Sequence, residues 1–383
     1  MILPALIASL ALYLALLFVK FQLARRYART RPVAPASVAD FRDVTILQPV
    51  VSGDPRLEEV LQATLGTYRS SPLVWMVDDD DAPARELCTA LQRANPAHAL
   101  RIVFTPPPPQ GENPKAFKLA LAESEVRTPF VVVLDDDTRL TPDGLRALLA
   151  GLERATLSTG LPCYLPGADA PSNLVAQFVN NQSVLTYLPL LVFSPPITSN
   201  GMCYALRTAE LARLGGFARI RRFAADDLAI AQLVIGAGQT VHQTVTPHFI
   251  ATSVSGWRHY FRLMHRWFVF ATLLVRDQPP GRRLLILAVH GSPPLLLWLG
   301  LALALMRPSG SAFAVVAAAL LLRAGLTIHV QRTFFGRAMH RSALSLLSEL
   351  LQPLHFVHAL LSRTVLWRRR WIRIHSNREF HYV

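Results

Sequence analysis

Three runs of adjacent aspartates mark this chain: Asp78-Asp79-Asp80-Asp81, Asp135-Asp136-Asp137 and Asp226-Asp227. The middle run follows Phe130-Val131-Val132-Val133-Leu134, a short apolar stretch rich in β-branched residues that reads as a strand buried on both faces. Acids just past the carboxyl end of such a strand sit where open α/β sheets bind ligands. A solvated acidic turn is the alternative, but it leaves the strand ending in unexplained self-repulsion. Asp-x-Asp spacing, Asp135 with Asp137, supplies the oxygen ligands that a hard divalent cation shares with substrate phosphates. A carboxylate can also serve as general base toward a hydroxyl. Gly-x-x-x-x-Gly-Lys is absent, as is any strand-linked Gly-x-Gly-x-x-Gly, so kinase and dinucleotide chemistries lack their phosphate cradles.

The elements that must position these acids follow from the pattern between Val44 and Leu157. Val44 to Gln48, Leu73 to Val77 and Ile102 to Phe104 read as strands. Helices alternate with them: one started by Asp54-Pro55, one from Ala82 to about Ala94, one opened by Glu112-Asn113-Pro114-Lys115. A βαβαβ order implies a Rossmann-like, mostly parallel α/β sheet. Two of its strands then end in acid clusters on one edge. Gly160 to Gly238 looks less regular.

Composition frames this domain with membrane segments. Of 383 residues, 51% are hydrophobic and only 17% charged. The apolar excess lies in residues 1–19, an anchor long enough to span a bilayer, and from Leu284 onward. Residues 284–306 and 311–330 form a hairpin of spans. Residues 344–366, interrupted by Glu349, Pro353, His355 and His358, read as a re-entrant or transmembrane helix. Between anchor and sheet, 20–43 is a basic juxtamembrane linker, 44–250 the α/β domain, and 251–283 an interfacial amphipathic region. Residues 367–383 form a basic cytoplasmic tail that packs near the catalytic domain.

The net charge of +14 sits in arginine clusters beside the apolar runs, which favours anionic lipid headgroups over nucleic acid. Basic residues at the ends of the spans place the α/β domain in the cytoplasm of a multi-pass protein, at a bacterial inner membrane. Cys88, Cys163 and Cys203 show no paired or metal-type spacing.

The ordered set Ser52-Gly53-Asp54-Pro55, Asp80-Asp81-Ala82-Pro83-Ala84, Asn113-Pro114-Lys115, Gly160-Leu161-Pro162, Gly201-Met202, Gly215-Gly216, Asp226-Asp227 and Arg266-Trp267 resembles family 2 glycosyltransferases, and within them ceramide glucosyltransferases. The resemblance implies a GT-A fold, a UDP-sugar donor, a divalent cation (Mg or Mn), a lipid acceptor and inversion at the sugar carbon. It assigns Asp79, Asp80 and Asp81 to the nucleoside, and Asp135 to metal and diphosphate with Asp137 as second ligand. Lys115 falls to the donor phosphates, Asp227 to the base with Asp226 before it, and Arg266 and Trp267 to the diphosphate and acceptor wall. The last motif departs from the family pattern: Leu263 stands where Gln or Arg is expected, with Arg262 one position earlier. Hopanoid or glycerolipid acceptors, polysaccharide synthesis and a non-catalytic lipid-binding protein are the competing readings.

Overall fold

In the computed structural model the described residues are 2–30, 41–367 and 370–383; the expected linker around Arg31–Ala36 lies outside them. The chain begins with α1 (Ile2–Thr30), then β1 (Val44–Val50), α2 (Leu57–Thr67), β2 (Leu73–Asp78), α3 (Ala82–Ala94), β3 (Leu100–Thr105) and α4 (Pro114–Ala122). Next come β4 (Phe130–Leu134), β5 (Thr138–Arg139), α5 (Pro142–Gly151), β6 (Leu157–Tyr164), α6 (Ala170–Tyr187), β7 (Cys203–Arg207), α7 (Thr208–Arg213), α8 (Asp226–Gly236) and β8 (Val241–Ile250). Helices α9 (Gly256–Arg276), α10 (Pro280–Ile286), α11 (Ser292–Met306), α12 (Gly310–Phe335), α13 (Ser342–Leu350) and α14 (Gln352–Leu361) precede the strands β9 (Thr364–Trp367), β10 (Arg370–Ser376) and β11 (Glu379–Tyr382). Two compact units result. One holds α1, Pro166–Phe193 and Val254–Leu366; the other holds residues 41–165, Ser194–Ser253 and the tail from Trp367.

The second unit is built on an eight-stranded sheet ordered β3-β2-β1-β4-β7-β6-β8-β5. Strands β3, β2, β1 and β4 are mutually parallel, whereas β7 runs antiparallel to both β4 and β6. The sheet is therefore mixed and mostly parallel. Alternation along β4 sends Val132 and Leu134 into a core with Ile46, Trp75 and Leu145 on one face. It sends Val131 and Val133 into a core with Leu47, Met76 and Leu119 on the other. Each such side chain stabilises the sheet by about 1.5–3 kcal/mol on burial, which is why the apolar run was so legible.

Local details differ from the sequence reading. Helix α2 starts at Leu57, not at Asp54-Pro55, because the Asp54 carboxylate is used elsewhere: it accepts from Arg56 N at 2.8 Å and Ser253 N at 2.7 Å. The stretch around Gly160 is regular strand β6, fully buried. Its register against β8 shifts at Gly160, where an added Cβ would lie 2.5 Å from His248 Nδ1. In the tail, β10 and β11 pair as an antiparallel hairpin, with Ile372 opposite Tyr382 and Ile374 opposite Phe380.

Among the described residues of the helical unit, four helices are long and apolar enough to cross a membrane: Ile2–Thr30, Pro280–Met306, Gly310–Phe335 and Ser342–Leu361. Helix α1 runs on through Arg25, Arg26 and Arg29 as one element. The segment expected at 344–366 is broken at Leu351 into α13 and α14, with Pro353 in the first turn of the latter, and it ends by Leu361. A buried polar cluster ties this segment to the bundle. Arg323 Nε donates to Glu349 at 2.7 Å and to Tyr13 Oη at 3.0 Å, and Arg323 Nη1 to Ser345 Oγ at 2.9 Å. An ion pair of this kind is costly in hydrocarbon unless every charge is answered inside the protein. Helix α6 joins the same unit, Asn181 accepting from Gln331 at 3.1 Å and donating to Ser345 at 2.9 Å.

Candidate active site

Parallel pairing brings the carboxyl ends of β1, β2, β3 and β4 to one edge of the sheet. Antiparallel β7 adds its amino end there, with Leu134 opposite Cys203, so the turn Asn200-Gly201-Met202 lies beside the acids after β4. Asp135 N donates to Met202 O at 2.9 Å, fixing that junction.

Helix α4 delivers the cation. Asn113 is its N-cap, accepting from Lys115 N at 2.9 Å and Ala116 N at 3.1 Å, with Pro114 in the first turn. The Lys115 ammonium then reaches Asp135 at 2.7 Å, Asp226 at 3.3 Å and the Gly201 carbonyl at 2.6 Å. Burial by itself would lower the Lys115 pKa, yet Asp135 and Asp226 hold it above the usual lysine range. One side chain thereby joins two acid runs that lie far apart in sequence. One turn later, Lys118 pairs with Asp78 at 2.8 Å and donates to Val50 O at 3.2 Å. The sequence analysis passed over Lys118; its three-residue spacing from Lys115 on a helix was the available signal.

Asp227 is half-buried, and the Lys115 ammonium pairs directly with its neighbour Asp226 while acting on Asp227 only from further off. Its carboxylate accepts from Leu228 N at 2.8 Å. Burial, then the charge of Asp226, pushes its pKa up to about 7, in the range a general base needs. A Cβ added at Gly201 would lie 3.1 Å from the Asp227 Cβ, so any larger residue in this turn would press on Asp227.

The other acids divide by task. Asp136 accepts from Val51 N at 2.7 Å, and Asp81 from Ser52 N at 2.9 Å and Ala84 N at 3.3 Å. These two carboxylates hold the turn after β1, where Gly53 has φ +114°. Asp81 is buried and caps α3, while Asp79 and Asp80 are exposed at the end of β2. Asp137 accepts from Thr138 Oγ1 at 3.0 Å and from Thr252 Oγ1. Arg266 and Trp267 lie on α9 in the helical unit, where Trp267 stacks on Phe178 with ring centroids 6.2 Å apart. From the same helix, Tyr260 meets His355 of α14 at 3.0 Å, and the His265 ring stacks on His358 of α14 at 4.0 Å.

Asp135 and Asp137 fit a divalent cation in part. Burial and then the charges of Asp135 and Asp136 push Asp137 up to about 7, the signature of negative charge that positive charge nearby would relieve. Both offer hard oxygen donors. Among the described residues no group of three His, Cys, Asp or Glu side chains forms a ready cage. The three cysteines are buried, and burial pushes the Cys88 thiol up to about 12, far from reactive.

A family model described as glycosyl transferase family 21 matches residues 5–380. Ceramide glucosyltransferase 1 of Caenorhabditis elegans is 22% identical over 228 residues, 58% of this chain and 48% of that protein. The chain thus spans about half the length of this curated relative. Among solved structures, the mannosyltransferase PcManGT from Pyrobaculum calidifontis, in complex with GDP-Man and Mn2+, is similar with a TM-score of 0.57 at 18% identity, covering 94% of this chain and 98% of that one. S. aureus TarS 1-349 in complex with UDP-GlcNAc gives a TM-score of 0.40 at 10% identity, covering 89% of this chain and 99% of that one. The likeness to PcManGT shows a shared GT-A fold.

Proposed function

The chain belongs to glycosyltransferase family 21, and from that premise we propose that this enzyme moves a hexose from a UDP-sugar to a hydroxyl of a membrane lipid, ceramide before other acceptors. The carrying observation is the junction at Lys115, which holds Asp135 and Asp226 together and leaves the neighbouring Asp227 with a raised pKa.

In this reading Asp227 takes the proton of the acceptor hydroxyl. The acceptor oxygen attacks the anomeric carbon, the bond to the diphosphate breaks, and the sugar carbon is inverted. Asp135 and Asp137 hold a divalent cation (Mg or Mn), which when bound neutralises charge on the leaving diphosphate. Lys115 adds positive charge at the same place and keeps Asp226 off the base. Asp79, Asp80 and Asp81 receive the nucleoside, Asp81 by fixing the turn after β1. Arg266 offers a guanidinium fork to the diphosphate, and Trp267 forms a wall for the acceptor.

Four apolar helices and the name of the Caenorhabditis elegans relative support a lipid acceptor. The basic residues Arg25, Arg26, Arg29, Arg282, Arg283, Arg332, Arg337 and Arg341 support a cytoplasmic catalytic domain at a bacterial inner membrane, contacting anionic headgroups. The test is release of nucleoside diphosphate by purified full-length protein, with UDP-glucose, UDP-galactose or GDP-mannose and a short-chain ceramide in mixed micelles. UDP release that needs both lipid and Mn2+, and that is lost in Asp135→Ala, is expected. Turnover of GDP-mannose alone would overturn the donor; equal release without lipid would overturn the acceptor class.

A further inference from the structure

The two-residue stretch Ala224-Ala225 sets where α8 begins, and hence where Asp226 and Asp227 stand. Neither alanine has a side chain able to anchor it, and the N-cap Ala225 makes no side-chain capping bond. Asparagines hold this backbone from both sides. Asn113 Nδ2 donates to the carbonyls of Phe223 at 3.1 Å and Ala224 at 3.3 Å. The opposite edge is held from the far end of the chain. Asn377, in the turn of the β10–β11 hairpin, accepts from Ala224 N through its carbonyl and from Ala225 N through Oδ1, both at 2.8 Å.

Within a capping box, the residue three into the helix reaches back to the N-cap amide. That position is Leu228, which cannot, and Asn377 supplies the acceptor instead. The side chain is 3% exposed, so this amide would otherwise be buried without a partner. The hairpin is itself fastened nearby. Tyr382 Oη donates to Glu112 O at 2.5 Å, Arg378 lies over the Phe223 ring at 5.6 Å, and Ile372, Ile374 and Phe380 are buried.

We infer that Asn377 is a positioning residue for glycosyl transfer: it fixes the backbone before α8 so that the Asp227 carboxylate meets the acceptor hydroxyl. The inference rests on the reading of Asp227 as base. Its isosteric variant is informative because Asn377 Nδ2 has no partner among the described residues: Asn377→Asp keeps the acceptor, loses an unused donor and adds a carboxylate at a helix start, where negative charge is favoured.

Full-length enzyme in detergent is assayed with UDP-glucose and short-chain ceramide, and amide exchange of the 221–228 region is followed by mass spectrometry. In Asn377→Ala, exchange of that region speeds up, kcat falls about ten- to a hundredfold, and donor KM stays within about twofold. Asn377→Asp restores slow exchange of that region. Parental exchange and kcat in Asn377→Ala overturn the inference. So does an Asp variant whose 221–228 region exchanges as fast as the alanine's, or a loss confined to the amount of folded enzyme with kcat per active site unchanged. Asp227→Asn runs in parallel: if it retains parental turnover the base assignment fails, while the exchange data still decide whether Asn377 clamps the loop.

Discussion

Replacing Lys115 by methionine removes one charge from a junction of two carboxylates while nearly preserving side-chain volume. At 2.7 Å and 3.3 Å, and an effective dielectric of about 20, the gross attractions to Asp135 and Asp226 are about 6 and 5 kcal/mol. Most of this is offset by the desolvation of all three groups. The net cost of removing one partner of a buried pair is about 3–5 kcal/mol. Asp135 is 21% exposed, so the lower end, about 3 kcal/mol, is appropriate. For a domain of about 150–250 residues that corresponds to a fall of about 6–12 °C in apparent Tm. Turnover should fall below about 1% of the parent, because Asp226 and the Gly201 turn lose their common anchor. Thermal unfolding of Lys115→Met in detergent, with and without Mn2+ and UDP, is the assay. The cation should recover part of the lost Tm by replacing the missing charge at Asp135. A variant with parental Tm and turnover would refute the claim that Lys115 organises the site.

Asp227→Asn should leave UDP binding nearly intact while lowering kcat by at least about a hundredfold. In the parent, a base whose pKa lies at about 7 is active when deprotonated, so kcat should fall as pH drops through 7. A kcat flat from pH 8 to 5 would refute that assignment. Arg266→Lys keeps the charge and loses the bidentate fork, and should lose most activity; full activity would reduce Arg266 to a membrane-surface residue. Single cysteines at Ser309 and Ser376, in a background lacking Cys88, Cys163 and Cys203, test the topology. An impermeant thiol reagent on sealed cells should label position 309 and spare 376, because the tail belongs to the same unit as the sheet. Labelling of both positions would mean that Ser342–Leu361 crosses fully.

The sheet was legible because β4 and its neighbours are buried on both faces, and β4 itself is Phe followed only by Val and Leu. The acid runs were legible for the opposite reason, since nothing in packing calls for them. What adjacency in sequence hid was the division of labour within a run. Asp81 and Asp136 carry backbone amides, Asp78 is paired with Lys118, and Asp79 and Asp80 are exposed. Those fates depend on which amide or ammonium the tertiary fold brings near, and spacing along one strand end does not encode it. The Asp54 error has the same origin: a good local cap was claimed by Ser253, 199 residues away. Basic composition led the tail to be read for its charge. The alternation of Ile372 and Ile374, then Phe380 and Tyr382, around Asn377-Arg378 carried the hairpin signal.

The order in which the chain is made gives the Asn377 contact another consequence. Strands β1 to β8 are all synthesised before α9, so the sheet can assemble early. The amide of Ala225, however, waits for a partner 152 residues further on. At about 5–20 residues per second that is a delay of roughly 8 to 30 s. During it the helices from Pro280 to Leu361 must leave the ribosome. The backbone that seats the acids is thus clamped only after every candidate membrane span among the described residues has been synthesised. A nascent chain halted between α8 and the hairpin carries all three aspartate runs but lacks this clamp, so the start of α8 is fixed only once the hairpin has emerged.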